Sequence, residues 1–209
     1  MKLRGLATGI FSSLCLLALA SAVGAGETGR AFEPAYGKAL APVGYIAFCA
    51  QNGKDCRPAG QVSGRPALTK SRFKLVEDVN SLVNARIAPV SDQDLYGEPE
   101  HWTYPVDAGD CEDFVLLKKR YLEEAGLPAS ALLITVVLDE KGAGHAVLTI
   151  AAKEGDYVLD NRRNQVLRWD RTGYTFLKRQ TAEDPRRWVA LTGQDSVKSG
   201  PTAVLKPGN

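Results

Sequence analysis

Histidine is nearly missing from this 209-residue chain, which holds only His101 and His145. Any imidazole-dependent proton transfer therefore has two possible addresses. Excess charge of either sign is also missing. The full chain carries 26 Lys and Arg against 24 Asp and Glu, and Lys2 and Arg4 are the only charges in its first 25 residues, so 24 of each sign remain beyond them. That neutrality argues against a nucleic-acid or anionic-membrane partner. No apolar run is long enough for a comfortable membrane span, which needs about 20 residues; the nearest, Ile10 to Ala20, is too short. Internal repeats, low-complexity tracts and interdomain linkers are absent as well, which leaves one domain with a core of its own.

What the first 25 residues do contain is a secretory signal pattern: two early positive charges, the apolar stretch, and small residues around Ala20-Ser21-Ala22 and Val23-Gly24-Ala25. Residues 1–25 are read as a cleaved signal peptide, 26–193 as the domain and 194–209 as a flexible tail. Cys15 lacks the small residues that precede a lipidated cysteine, so the expected product is exported and soluble. Three of the four cysteines survive cleavage. Cys49 and Cys56, close together in an exported chain, read as a disulfide. A zinc pair is the alternative, but the chain offers too few further Cys or His ligands. Cys111 is the odd thiol.

Residues 26–68, rich in Gly, Pro and Ala, read as an irregular, disulfide-stapled opening segment. From Thr69, a capping residue, the apolar positions Phe73, Val76, Val79, Leu82 and Val83 recur at helical spacing until Pro89. Residues 89–109 read as a loop anchored by Tyr96, Trp102 and Tyr104. A second helix is expected over about 110–125, with Asp110 as cap, a stripe of Phe114, Leu117, Tyr121 and Leu122, and Gly126 and Pro128 as its end. Residues 131–138 and 144–151 read as a hairpin through Lys141-Gly142, followed by shorter strands at 157–160, 174–180 and 188–191. Helices first and strands later give an α+β fold, with an antiparallel sheet packed on the cysteine helix.

Cys111 sits in the first turn of that second helix, within Gly109-Asp110-Cys111-Glu112-Asp113. A thiol of ordinary pKa is mostly protonated at neutral pH, so a nucleophilic cysteine needs a base. His145 opens a strand after a glycine turn, and Asp160 closes the next one, where it can orient the imidazole. The competing readings are an inert core cysteine, a backbone-satisfied histidine and a turn aspartate. A free cysteine in an oxidising compartment is a liability, which favours a use for it. His101, in the aromatic loop, reads as surface or supporting. The backbone N–H of Cys111 is a natural oxyanion donor, with Trp102 or Asn84 as candidate second donors. The helix dipole favours the thiolate, while Asp110, Glu112 and Asp113 oppose it. On spacing alone these acids read as helix caps before they read as calcium ligands.

The chain resembles the bacterial transglutaminase-like cysteine peptidases, which include the LapG-type periplasmic proteases. The carriers are Phe48-Cys49 with Cys56, Val90-Ser91-Asp92, Trp102-Thr103-Tyr104-Pro105, Gly109-Asp110-Cys111-Glu112-Asp113, Leu133 to Val137, Gly144-His145-Ala146-Val147-Leu148 and Leu159-Asp160-Asn161. The resemblance implies a transglutaminase/papain-like fold and a Cys111, His145 and Asp160 triad that hydrolyses a peptide bond. It also implies calcium held by Asp110 and Glu112, and a periplasmic location. The implied partners are a protein substrate, such as a large biofilm adhesin cut near paired alanines, and an inner-membrane receptor that senses cyclic di-GMP. The same triad also serves amide acyl transfer, and a catalytically silent binding protein of this fold is a third reading.

Overall fold

The structure, a computed structural model, describes residues 30–58, 60 and 62–192. The expected signal peptide and the tail from 194 lie outside the described residues. Within them no helix is long and apolar enough to cross a membrane.

The first helical pattern becomes α2 (Lys70–Arg86), with Thr69 accepting from the Arg72 N–H at its start. Val76, Val79 and Val83 are buried, but Leu82 is 55% exposed and belongs to the solvent face rather than the apolar stripe. The cysteine helix, α4 (Cys111–Glu124), follows Asp110. It ends on Gly126, whose φ of 89° only glycine adopts readily. There the Gly126 and Leu127 N–H groups bond Glu123 and Leu122 oxygens, the pairing that stops a helix in a left-handed turn. Buried Val115, Leu116, Lys118 and Lys119 join the expected stripe, so α4 is enclosed on most sides. Its closest neighbours are the central sheet and α2.

The sheet has seven strands. In chain order these are β1 (Gly37–Ala39), β4 (Leu132–Leu138), β5 (Gly144–Ala152), β6 (Gly155–Asp160), β7 (Arg163–Arg168), β8 (Thr175–Gln180) and β9 (Trp188–Ala190). Their spatial order is β1-β9-β8-β4-β5-β6-β7, with every pairing antiparallel. The expected hairpin is β4–β5, in register from Leu132↔Ile150 to Leu138↔Gly144. Alternate residues split between two clusters: Ile134, Val136, Leu148 and Ile150 pack with Phe114 and Leu122 of α4, while Val137, Val147 and Val158 pack with Phe176 and Leu191. A strap before β1 covers part of the sheet. Glu33 is buried there, its N–H donating to Asp156 and its carboxyl receiving Thr149 and Arg179.

Three expectations need correction. The opening segment is not irregular throughout: Val43–Gln51 form α1, which carries Cys49. The aromatic segment is not one loop either. It holds α3 (Asp92–Tyr96), capped by Ser91. It is bracketed by a two-residue parallel pair, β2 (Ala88–Pro89) and β3 (Ala108–Gly109). Strand β7, of mixed polarity, was not expected at all. Cys49 and Cys56 form the disulfide, with their Cα atoms 5.6 Å apart, and Cys111 is free.

Candidate active site

Three elements converge on the free cysteine. Gly109 leads into α4 where a Cβ would meet the Asp113 Oδ2 at 2.5 Å, so the close turn before Cys111 requires glycine. The β5 strand then brings the Ala146 N–H to 3.4 Å from the Cys111 Sγ, which sets His145, the preceding residue, beside the head of α4. The end of β6 supplies Asp160, whose Oδ1 lies 2.9 Å from His145 Nε2.

Both members of that pair are fully buried. An ionised carboxylate only accepts, so Nε2 carries the proton and Nδ1 is the basic nitrogen. Nδ1 is buried with no hydrogen-bond partner. Burial alone would raise the Asp160 pKa, yet the bonds from His145, Tyr174 and the Arg162 N–H together hold it well below the usual carboxylate range. Asp160 is thus also the turn aspartate of the competing reading, since Oδ1 accepts the Arg162 N–H at 3.0 Å. The β6–β7 turn is pinned from α2: the Asn84 amide donates to the Asp160 carbonyl at 2.9 Å, and Asn80, one turn earlier, donates to the Arg163 and Asn164 carbonyls.

Those bonds remove Asn84 as an oxyanion donor. Trp102 is removed in the same way, because its indole N–H donates to Glu100 at 3.0 Å. The Cys111 backbone N–H remains, at a helix position with no intrahelical acceptor. His101 points elsewhere: its ring packs on Tyr96 at 4.4 Å and its backbone N–H donates to the Asp92 carboxyl.

The acids beside the thiol are not all committed to capping. Asp110 occupies the N-cap position but its side chain makes no capping bond. Glu112 instead takes the Cys111 Sγ–H, at 2.9 Å. Burial pushes the Cys111 thiol well above its ordinary pKa, and the Glu112 and Asp110 charges push it further. Burial first and mutual repulsion second also raise Glu112 strongly, Asp110 to about 6 and Asp113 to about 8.

Asp92 completes this acid cluster, and sequence reasoning missed its part in it. One ligand atom each from Asp92, Asp110 and Asp113 lies within 4.8 Å of the others, as does one each from Asp110, Cys111 and Glu112. Asp92 Oδ1, Asp110 Oδ1 and Asp113 Oδ2 are all buried without a hydrogen-bond partner. Unpartnered buried carboxylate oxygens on three neighbouring residues are costly, and they match the hard, oxygen-rich donor set that calcium takes. In the sequence Asp92 stands out only within Val90-Ser91-Asp92, one of the segments that carry the family resemblance, and no local pattern ties it to Asp110 or Asp113.

The family model for bacterial transglutaminase-like cysteine proteinases (BTLCP) matches residues 35–196. Among solved structures, calcium-bound LapG of Legionella pneumophila is 26% identical, with a TM-score of 0.50 and coverage of 66% of this chain and 76% of its own. The EGTA-treated form of the same protein gives 26% identity and a TM-score of 0.50, covering 63% of this chain and 77% of its own. A search of curated proteins returns no match.

Proposed function

This chain belongs to the bacterial transglutaminase-like cysteine proteinases, and we propose that it is a periplasmic endopeptidase in which Cys111 is the nucleophile, His145 the base and Asp160 the residue that orients it. That it is a cysteine protease with an α+β transglutaminase-like fold follows from the family. The residue roles rest on one observation above all: a buried imidazole, fixed through Nε2 by a carboxylate, keeps its Nδ1 unpartnered, and the backbone N–H of the following residue, Ala146, bonds the thiol.

In the proposed reaction His145 Nδ1 takes the thiol proton and the Cys111 sulfur attacks the scissile carbonyl carbon. The backbone N–H of Cys111 stabilises the oxyanion. The imidazolium returns its proton to the leaving amine, and His145 then activates the water that hydrolyses the thioester.

Asp110, Asp92 and Asp113, with Glu112 from the same turn, are the residues that would hold calcium. When bound, the cation would neutralise the carboxylates that otherwise disfavour charge on the neighbouring sulfur. The calcium-bound state of the Legionella relative supports this reading. So do the unpartnered buried oxygens of Asp92, Asp110 and Asp113. A surface adhesin as substrate, and an inner-membrane cyclic di-GMP receptor as regulator, are the partners this proposal carries from the family.

The test is the rate at which iodoacetamide labels Cys111 in the native protein at neutral pH, with calcium present. His145→Ala is expected to slow it about tenfold or more, because it removes the group that converts thiol to thiolate. Asp160→Asn is expected to slow it less. Equal rates in wild type and His145→Ala would overturn the assignment.

A further inference from the structure

Two residues with no part in the proposed chemistry touch its aspartate. Tyr174, just before β8, donates its hydroxyl to Asp160 Oδ2 at 2.6 Å. Its ring meets the His145 ring edge-on, with centroids 5.7 Å apart at 82°. Arg163, at the start of β7, donates to the Tyr174 hydroxyl at 3.0 Å and approaches Asp160 Oδ2 at 3.3 Å. Its guanidinium lies 5.0 Å from the Tyr174 ring centroid.

We propose that Tyr174, steered by Arg163, is a positioning residue of the protease: it fixes which oxygen of Asp160 faces His145 and holds the imidazole plane from its edge. The inference rests on Asp160 being the orienting member of the triad. A carboxylate torsion is broad and two-fold, so its two oxygens interchange unless each has its own partner. Here Oδ1 is committed to His145 and the Arg162 N–H, while Oδ2 is committed to Tyr174 and Arg163. The Tyr174 hydroxyl has one proton. Because its oxygen already accepts from Arg163, that proton is directed at Asp160. Arg163 is itself anchored, to Glu140 at 3.1 Å in the β4–β5 loop and to the Thr172 carbonyl at 3.5 Å. The Tyr174 N–H binds Thr172 Oγ1 at 3.2 Å, so ring and guanidinium share one support. Burial and the Asp160 contact both raise the Tyr174 pKa, which keeps it a donor.

The experiment compares wild type, Tyr174→Phe, Arg163→Met and His145→Ala by iodoacetamide labelling of Cys111 with calcium present. In the same proteins the His145 ring N–H proton is observed by NMR. Tyr174→Phe keeps the ring and loses only the hydroxyl. It is expected to slow labelling about threefold, within the Asp160→Asn effect because it acts only through Asp160 and removes one hydrogen bond worth on the order of 1 kcal/mol. The ring N–H resonance should shift and broaden while the melting temperature stays within a few degrees. Arg163→Met is expected to move both readouts the same way by less, and it carries the test if Tyr174→Phe does not fold. A wild-type rate and resonance in Tyr174→Phe, with labelling slowed about tenfold or more in His145→Ala, would overturn this role for Tyr174 and leave the triad standing. A wild-type rate in His145→Ala would instead overturn the triad, and this inference with it.

Discussion

Lys118 is the least expected residue in the core, and replacing it has a calculable consequence. It lies on α4, is fully buried, and its ammonium nitrogen has no hydrogen-bond partner. The nearest compensation is the Phe114 ring, with its centroid 5.6 Å away, and the field of Asp160. Burial outweighs both and lowers the Lys118 pKa from 10.5 to about 7. Every tenfold change in proton affinity corresponds to about 1.4 kcal/mol, so a charged Lys118 costs folding up to about 5 kcal/mol below pH 7. Penetrating water would reduce this to about 2–5 kcal/mol. The sign follows from proton counting. Between pH 7 and 10.5 the unfolded chain keeps a proton that the folded chain has released, so stability rises with pH across that window. Lys118→Met keeps the unbranched volume and removes the charge. It is expected to stabilise the protein by about 2–5 kcal/mol at pH 6, with the gain shrinking toward zero near pH 10.5. Urea unfolding of both proteins at pH 6, 8 and 10 measures this. A Lys118→Met protein less stable than wild type at pH 6, or a gain independent of pH, would refute the reasoning.

Other outcomes are equally specific. Alkylation of the denatured, unreduced mature protein should label Cys111 and neither Cys49 nor Cys56. Replacing that pair by alanine should cost about 2–3 kcal/mol, the chain entropy of so short a loop. Calcium should raise the melting temperature of wild type, by the equivalent of about 2.7 kcal/mol at a hundred times its dissociation constant, and should leave Asp110→Ala and Asp92→Ala unmoved; an equal rise in all three would return the acids to a structural role. Asn84→Ala should lose about 1–3 kcal/mol by leaving the Asp160 carbonyl unpaired. It should also slow Cys111 labelling, whereas Leu82→Ala on the exposed face of α2 should do neither.

The parts of this architecture that sequence conveys are those written in local periodicity. Helix α4, its glycine stop and the β4–β5 hairpin have strong apolar patterns and short-range turn chemistry, and their residues appear as expected. Helix α1 was hidden because its exposed face is itself apolar: Val43 and Ile46 are 81% and 57% exposed, so no polar stripe marks a helix. Helix α3 was hidden by its length of five residues. The chemical site divides in the same way. Cys111 and His145 could be put forward because two histidines and one odd cysteine leave few combinations, and Asp160 because it closes the strand after the one His145 opens. Asp92 could not, since its approach to Asp110 and Asp113 depends on the parallel Ala88↔Ala108 and Pro89↔Gly109 pairing, a contact between segments that carry no strand pattern. The fates of Trp102 and Asn84 were also set by tertiary partners, Glu100 and the Asp160 carbonyl.

The most direct test of the central claim is to count new protein N-termini in the cell-envelope fraction after adding mature enzyme or its Cys111→Ala variant, with calcium and a labelled primary amine present. A protease working through Cys111 should yield new N-termini only when that cysteine is intact, and no amine in the products. Amine incorporation without new termini, or the same termini from Cys111→Ala, would contradict it.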